Sequence, residues 1–242
     1  GCYAGIAETD WSWSPLVQDF DNDGYRDLLI TNGYPKDLTD HDFIAFRRQS
    51  TSLAKKDFLL KQIPQVKIHN YAYRNNGNCH FSNVTADWGM STPSFSSGAA
   101  YADLDNDGDL DYVVNNINDE AMLYRNNARE KQPSHFLQIQ FKGDSLNRNG
   151  LGVWVELYYQ GKQQVYEHSP VRGYISSVQP LAHFGLGAIS TIDSICIKWP
   201  NGHMQVMKDV KADQVITADH KQAHLVYSWT QAAAQPLFTD IT

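Results

Sequence analysis

Asp19-Phe20-Asp21-Asn22-Asp23-Gly24-Tyr25-Arg26-Asp27 recurs as Asp103-Leu104-Asp105-Asn106-Asp107-Gly108-Asp109-Leu110-Asp111. Both copies carry aspartate at positions 1, 3, 5 and 9 and glycine at position 6. A short small or apolar stretch leads into each copy, Pro15-Leu16-Val17 and Ala99-Ala100-Tyr101-Ala102. A strand-like run leads out, Leu28-Leu29-Ile30-Thr31 and Tyr112-Val113-Val114. Each copy therefore reads as a β-hairpin whose turn is the acidic loop. Tyr73-Arg74-Asn75-Asn76 and Tyr124-Arg125-Asn126-Asn127 form a second repeated element downstream, so the chain holds two copies of one multi-strand unit.

Glycine at position 6 permits a turn that other residues resist, and this brings the carboxylates at positions 1, 3, 5 and 9 toward one point. Unpaired, those charges repel strongly. A hard, oxygen-only set with flexible geometry suits Ca²⁺ better than Mg²⁺, which demands a near-ideal octahedron. Two calcium ions are expected. The ligands would be Asp19, Asp21, Asp23, Asp27 and the Tyr25 carbonyl in the first loop, and Asp103, Asp105, Asp107, Asp111 and the Asp109 carbonyl in the second. Two better-known calcium loops start the same way, but an EF-hand needs a bidentate Glu at position 12 and flanking helices. Position 12 is Ile30 and Val114, and a dockerin-type loop fails on the same residues. Ordinary turn chemistry explains Gly24 and Gly108, though not aspartate at every ligand position twice over.

Between the two units lies an insert from about 35 to 70. There Thr39-x-x-Asp42 reads as a capping box ahead of Phe43, Ile44 and Phe46, and Leu53, Leu59, Leu60 and Ile63 suggest a second amphipathic helix stopped by Pro64. From His135 the pattern changes to period-two strands (Leu137, Ile139, Phe141; Val153, Val155, Leu157; Ile195, Ile197, Trp199) punctuated by Asn149-Gly150, Gln160-Gly161 and Asn201-Gly202. That predicts an independent all-β domain ending near Tyr227. The expected organisation is a repeat region over 1–130, the all-β domain over 135–228, and the start of a further repeat over 229–242, where Leu237-Phe238-Thr239-Asp240-Ile241-Thr242 echoes His80-Phe81-Ser82-Asn83-Val84-Thr85.

Composition narrows the function. The 242 residues are 42% hydrophobic and 19% charged, without a run of about 18 apolar residues, which excludes a disordered chain and a helical membrane span. A net charge of −7 argues against a nucleic-acid partner, which would need a Lys/Arg-rich face. Cys2, Cys79 and Cys196 are scattered without CxxC spacing, so neither a zinc cluster nor a disulfide framework is visible in the sequence. His220 and His224 stand i, i+4 without an HExxH pattern and read as polar loop. No nucleophile elbow is present, so no catalytic residue is assigned.

The acidic loops resemble the nine-residue calcium loops of FG-GAP (VCBS) repeats, the blades of integrin α-chain-like β-propellers. Asn149-Gly150-Leu151-Gly152-Val153-Trp154-Val155, Arg172-Gly173-Tyr174-Ile175-Ser176-Ser177, His183-Phe184-Gly185-Leu186-Gly187 and Ile192-Asp193-Ser194-Ile195-Cys196-Ile197-Lys198-Trp199-Pro200-Asn201-Gly202 together resemble the ASPIC/UnbV domain. The pairing is similar to that of cartilage acidic protein and of large surface proteins of Bacteroidetes-type bacteria, whose blades begin like Thr9-Asp10-Trp11-Ser12-Trp13-Ser14-Pro15. The resemblance implies a mainly β protein: partial β-propeller blades with a short helical insert, then a sandwich-like ASPIC/UnbV domain. It also implies an extracellular or outer-membrane surface location and a non-enzymatic scaffold or binding role toward a cell-surface protein or glycan. The remainder of a larger propeller chain is a further expected partner, because propellers close with roughly four to eight blades. The rival expectation is part of a calcium-dependent polysaccharide lyase.

Overall fold

The computed structural model describes residues 1–50 and 55–228. Strands β1 (Ser12–Gln18) and β2 (Asp27–Asn32) pair antiparallel, with Gln18 facing Asp27 across the mouth of the first acidic loop. Every residue of β2 is buried. Because neighbouring strand residues point to opposite faces, Leu29 joins the core between the two repeat units while Leu28 and Ile30 pack with Tyr73 in a separate outer cluster.

The insert contains α1 (His41–Ser50) and α2 (Lys56–Lys61). Asp40, not Thr39, caps α1: its side chain accepts from the Phe43 amide at 2.7 Å, while the Thr39 hydroxyl donates to Asp37. Asp40 sits immediately before the first helical residue, where a short acceptor reaches the third amide of the helix. Phe43 and Ile63 are buried, whereas Phe58 and Leu60 on α2 stay exposed. Leu53, expected in the second helix, lies outside the described residues.

The chain re-enters the framework through β3 (Ile68–His69), β4 (Tyr71–Asn75), β5 (Phe81–Asn83) and β6 (Pro93–Ser94). The first unit is a four-stranded sheet ordered β1-β2-β4-β5, and β3 pairs with β6 in a small ribbon. The second unit repeats the scheme with β7 (Ser96–Ala102), β8 (Asp111–Asn116) and β9 (Met122–Tyr124), Ala102 facing Asp111 across the second loop. Leu16, Leu29 and Ala72 from the first unit meet Ala99, Tyr101, Tyr112 and Val114 from the second in one core. The units are thus two stacked blade-like sheets, and the described residues form no closed barrel.

After the short α3 (Ala128–Lys131), the C-terminal domain runs through β10 (His135–Lys142), β11 (Trp154–Tyr159), β12 (Lys162–Glu167), β13 (Leu181–Gly187), β14 (Thr191–Lys198), β15 (His203–Lys211), β16 (Gln214–Asp219) and β17 (Leu225–Val226). Its strands form a three-stranded sheet, β13-β10-β16, with β10 and β16 parallel, and a five-stranded sheet, β12-β11-β14-β15-β17. Leu137, Ile139, Val155, Leu157, Ile195, Ile197 and Trp199 fill the space between them. On β11 the alternation buries Tyr159 and leaves Tyr158 half-buried, its hydroxyl donating to Glu156 at 3.0 Å. The three cysteines are free. Residues 229–242, expected to begin a further repeat, lie outside the described residues.

Candidate metal centre

In both acidic loops the chain turns back through left-handed residues at matching positions, Asn22 (φ 58°) and Gly24 (φ 95°), then Asn106 (φ 61°) and Gly108 (φ 90°). Asparagine and glycine enter that region at least cost, so the repeated Asn-x-Gly curls the backbone and gathers the carboxylates. Backbone amides then fix them. Asp19 accepts from the amides of Asp23 at 3.1 Å and Gly24 at 2.8 Å, and Asp103 from that of Gly108 at 3.1 Å. The position-9 aspartates staple the loop to the neighbouring strand. Asp27 accepts from Phe20 N at 3.0 Å and Asn75 N at 2.9 Å; Asp111 accepts from Leu104 N at 2.9 Å and Asn126 N at 2.8 Å.

Asn75 and Asn126 occupy the same place in the repeated Tyr-Arg-Asn-Asn element, which is why that tetrapeptide accompanies the loop. Its arginine has a second task that sequence reading missed. Arg74 lies 2.7 Å from Asp21 and 3.1 Å from Asp23, and Arg125 lies 2.9 Å from Asp105 and 3.7 Å from Asp107. Each guanidinium spans loop positions 3 and 5. The available signal was a fixed positive charge in a tetrapeptide that recurs with an acidic loop.

Ligand-capable oxygens of Asp19, Asp21 and Asp27 lie within 4.8 Å of one another, as do those of Asp103, Asp105 and Asp107. Asp23 sits beside the first trio, its side chain accepting from Tyr25 N at 2.8 Å, while the Tyr25 ring is exposed. The Asp109 side chain is engaged elsewhere, accepting from Asn22 Nδ2 at 2.8 Å and Arg129 N at 2.9 Å. Burial, reinforced by Asp27, holds the Asp19 carboxyl well above the ordinary range; burial and Asp21 push Asp27 up to about 7. Burial and Asp23 raise Asp21, and burial raises Asp107 and pushes Asp109 to about 6. A cation set among such groups favours their charged form. Asp103 supplies the sharpest test of fit: its Oδ1 is buried with no hydrogen-bond partner, the condition of an acceptor awaiting a cation. An all-oxygen set of this kind fits calcium.

The C-terminal domain closes over both loops rather than standing apart. Asn22 is the centre of the joint: its Oδ1 lies 2.8 Å from His183 Nε2, its Nδ2 donates to Gly108 O at 3.2 Å as well as to Asp109, and its carbonyl accepts from Gly187 N at 2.8 Å. Gly185 is the close-approach residue, since a Cβ there would lie 2.0 Å from Asp19 Oδ2. Gln138 Nε2 donates to Asp103 Oδ2 at 2.9 Å, and the Asp103 amide donates to Gln179 Oε1 at 2.9 Å. Gly108 packs under the Phe136 ring. His183-Phe184-Gly185-Leu186-Gly187, the C-terminal part of β13, is the seat of the first loop. His220 packs edge-on against Trp199, 5.1 Å between ring centroids.

Stacked blade-like sheets with duplicated carboxylate turns, joined to a two-sheet β-domain, define a propeller-repeat protein with an appended β-module. Residues 63–114 match the family described as FG-GAP-like repeat, and residues 143–225 match ASPIC and UnbV. The chain therefore combines an FG-GAP-like repeat region with an ASPIC/UnbV domain. The repeat match contains the second loop, and the first lies outside it. No curated protein gives a significant match. The two families point to an extracellular or surface binding module. Among the described residues no helix is long and apolar enough to cross a membrane.

Proposed function

We propose that the chain is a calcium-stabilised, non-enzymatic binding and scaffold module, displayed outside the cell or on the outer-membrane surface, whose partner is a cell-surface protein or glycan. The observation that carries the reading is the duplicated loop, above all the buried, unpartnered Asp103 Oδ1 among converging carboxylates. Asp19, Asp21 and Asp27 would hold one ion with Asp23 and the Tyr25 carbonyl. Asp103, Asp105 and Asp107 would hold the other with Asp111 and the Asp109 carbonyl. Calcium would supply charge compensation: two dications move the net charge from −7 to −3 (−7 + 4).

The chain's own residues do the scaffolding. Asp27 and Asp111 tie each hairpin to its Tyr-Arg-Asn-Asn strand, and Asn22 and Asp103 tie the repeat region to the C-terminal domain. Extracellular calcium modules bind at about 10⁻⁴ to 10⁻³ M. At that affinity millimolar calcium adds about 0.4–1.4 kcal/mol per site. Thermal melting in calcium, magnesium and chelator tests this: calcium raises the midpoint and magnesium does so less. A midpoint indifferent to chelator contradicts it.

A further inference from the structure

A cleft of about 390 Å³ opens between the two repeat units, beside the first acidic loop. That volume lies within the range of small-molecule sites. Trp88, Tyr112 and Tyr124 line it together with Arg74, Arg125 and Lys131. Tyr112 and Tyr124 stack with centroids 6.1 Å apart and planes 27° apart, the buried Tyr112 behind the half-buried Tyr124, so that Tyr124 and Trp88 offer ring surface to the cleft.

Among the described residues one hydroxyl of that surface is unmet and a second is met only weakly. Tyr112 is 3% exposed and its hydroxyl is buried without a hydrogen-bond partner, an unfavourable state for a buried donor. The Tyr124 hydroxyl donates only to the Met122 sulfur, at 3.1 Å, a weak acceptor. The cleft also carries three cations against two carboxylates, Asp21 and Asp87. Arg74 and Arg125 already face loop aspartates, whereas Lys131 makes no ion pair among the described residues.

We propose that this cleft binds an acidic pyranose, a hexuronate unit of a surface polysaccharide. The inference rests on the surface-binding reading above and names its ligand class. An apolar pyranose face covers the aromatic surface, ring hydroxyls and ring oxygen accept from the tyrosines, and the carboxylate meets Lys131 and the outer edges of the arginines. A bare phosphate leaves the rings uncovered. An aromatic acid leaves the tyrosine hydroxyls without acceptors at the ring face.

The test is an NMR titration of the full chain in calcium buffer with D-glucuronate, D-glucose and inorganic phosphate as separate probes. Glucuronate is expected to bind at least tenfold more tightly than glucose, with phosphate as weak as glucose. Lys131→Ala should weaken glucuronate several-fold without moving the melting midpoint, because the side chain is exposed. Tyr112→Phe should weaken glucuronate while leaving the midpoint unchanged or higher, since it removes an unpaired buried hydroxyl. Equal binding of glucuronate and glucose, phosphate binding as strong as glucuronate, no binding, or a Lys131→Ala titration identical to the parent overturns the proposal. Calcium-dependent melting is read on the same samples: if it persists while glucuronate fails, the cleft assignment falls and the calcium-module reading stands.

Discussion

The first acidic loop is enclosed by the second loop, the Tyr-Arg-Asn-Asn strand and the C-terminal domain, while the second loop presents much of its arc to solvent. Asn22 is 1% exposed and bonded to His183, Gly108 and Asp109, but its counterpart Asn106 is exposed. Phe20 is buried and Asp21 half-buried, whereas their counterparts Leu104 and Asp105 are exposed; the aspartates at positions 1 and 9 are buried in both loops. Burial accordingly raises three carboxyls of the first loop, Asp19, Asp21 and Asp27, and in the second raises Asp107 and Asp109. A repeated motif therefore fixes local geometry, and its surroundings decide what each position carries. The first loop is both a candidate ion site and a structural joint; the second joins the domain mainly through Asp103 and Gly108.

Glycine substitutions separate the loops most widely. At Gly24 an added Cβ finds its nearest neighbour at 3.5 Å, so Gly24→Ala meets only the strain of a positive φ, about 1–2 kcal/mol. At Gly108 the same atom would lie 2.1 Å from the buried Phe136 ring, so Gly108→Ala adds an overpacking cost of about 1–3 kcal/mol. Denaturant unfolding in calcium should rank Gly108→Ala well below Gly24→Ala. Equal losses would break the asymmetry.

The asparagines reverse the ranking. Asn22→Ala strands buried partners and should cost about 1–3 kcal/mol. Asn106→Ala loses an exposed side chain at a left-handed position and should cost about 1 kcal/mol or less. Comparable losses for the two would show that the joint at Asn22 carries no energy.

A smaller, local effect concerns ion loss. The period-two pattern after His135 suggests a domain indifferent to the loops, but Asn22, Gly185 and Gln138 connect them. Asp21→Ala and Asp105→Ala should each lose one ion. Only Asp21→Ala should also speed hydrogen exchange of the Gly187 amide, which donates to Asn22 O. Unchanged Gly187 protection in Asp21→Ala would restore the independent-domain picture.

A separate effect is one of pH, within the C-terminal domain. His168 is buried against Phe141, and burial pushes its imidazole down to about 4 from an ordinary 6.5. The unfolded chain takes up this proton first as pH falls, so the site's contribution is constant above the ordinary histidine range and is lost between about 6.5 and 4. His168→Phe should shrink the acid-induced drop in melting midpoint over that interval. A drop of the same size in the variant would assign the acid sensitivity elsewhere.

Much of the fold is legible in the sequence because hairpins with fixed-length turns leave local marks. Asp-x-Asp-x-Asp-Gly between apolar runs positions β1, β2, β7 and β8, and alternation around Val155 and Ile195 marks the C-terminal sheets. The insert is less legible, since Asp40 and Thr39 offer equivalent caps until the first helical residue is known. The joint was hidden for a physical reason. Gly185 and His183 sit more than 150 residues from the loop they seat, and a glycine retained for close approach looks like any turn glycine until its neighbour is in place. The arginines were half visible: their recurrence showed, but their reach across loop positions 3 and 5 depends on β4 and β9 lying beside β2 and β8.

The number of ions held by the two loops is the quantity on which their proposed role turns. Equilibrium calcium titration by calorimetry, on chelator-stripped chain and on Asp21→Ala and Asp105→Ala, reads that number. Two ions are expected for the parent, one for each single variant and none for the double variant. No calcium uptake by the parent, or uptake unchanged in the double variant, would contradict it.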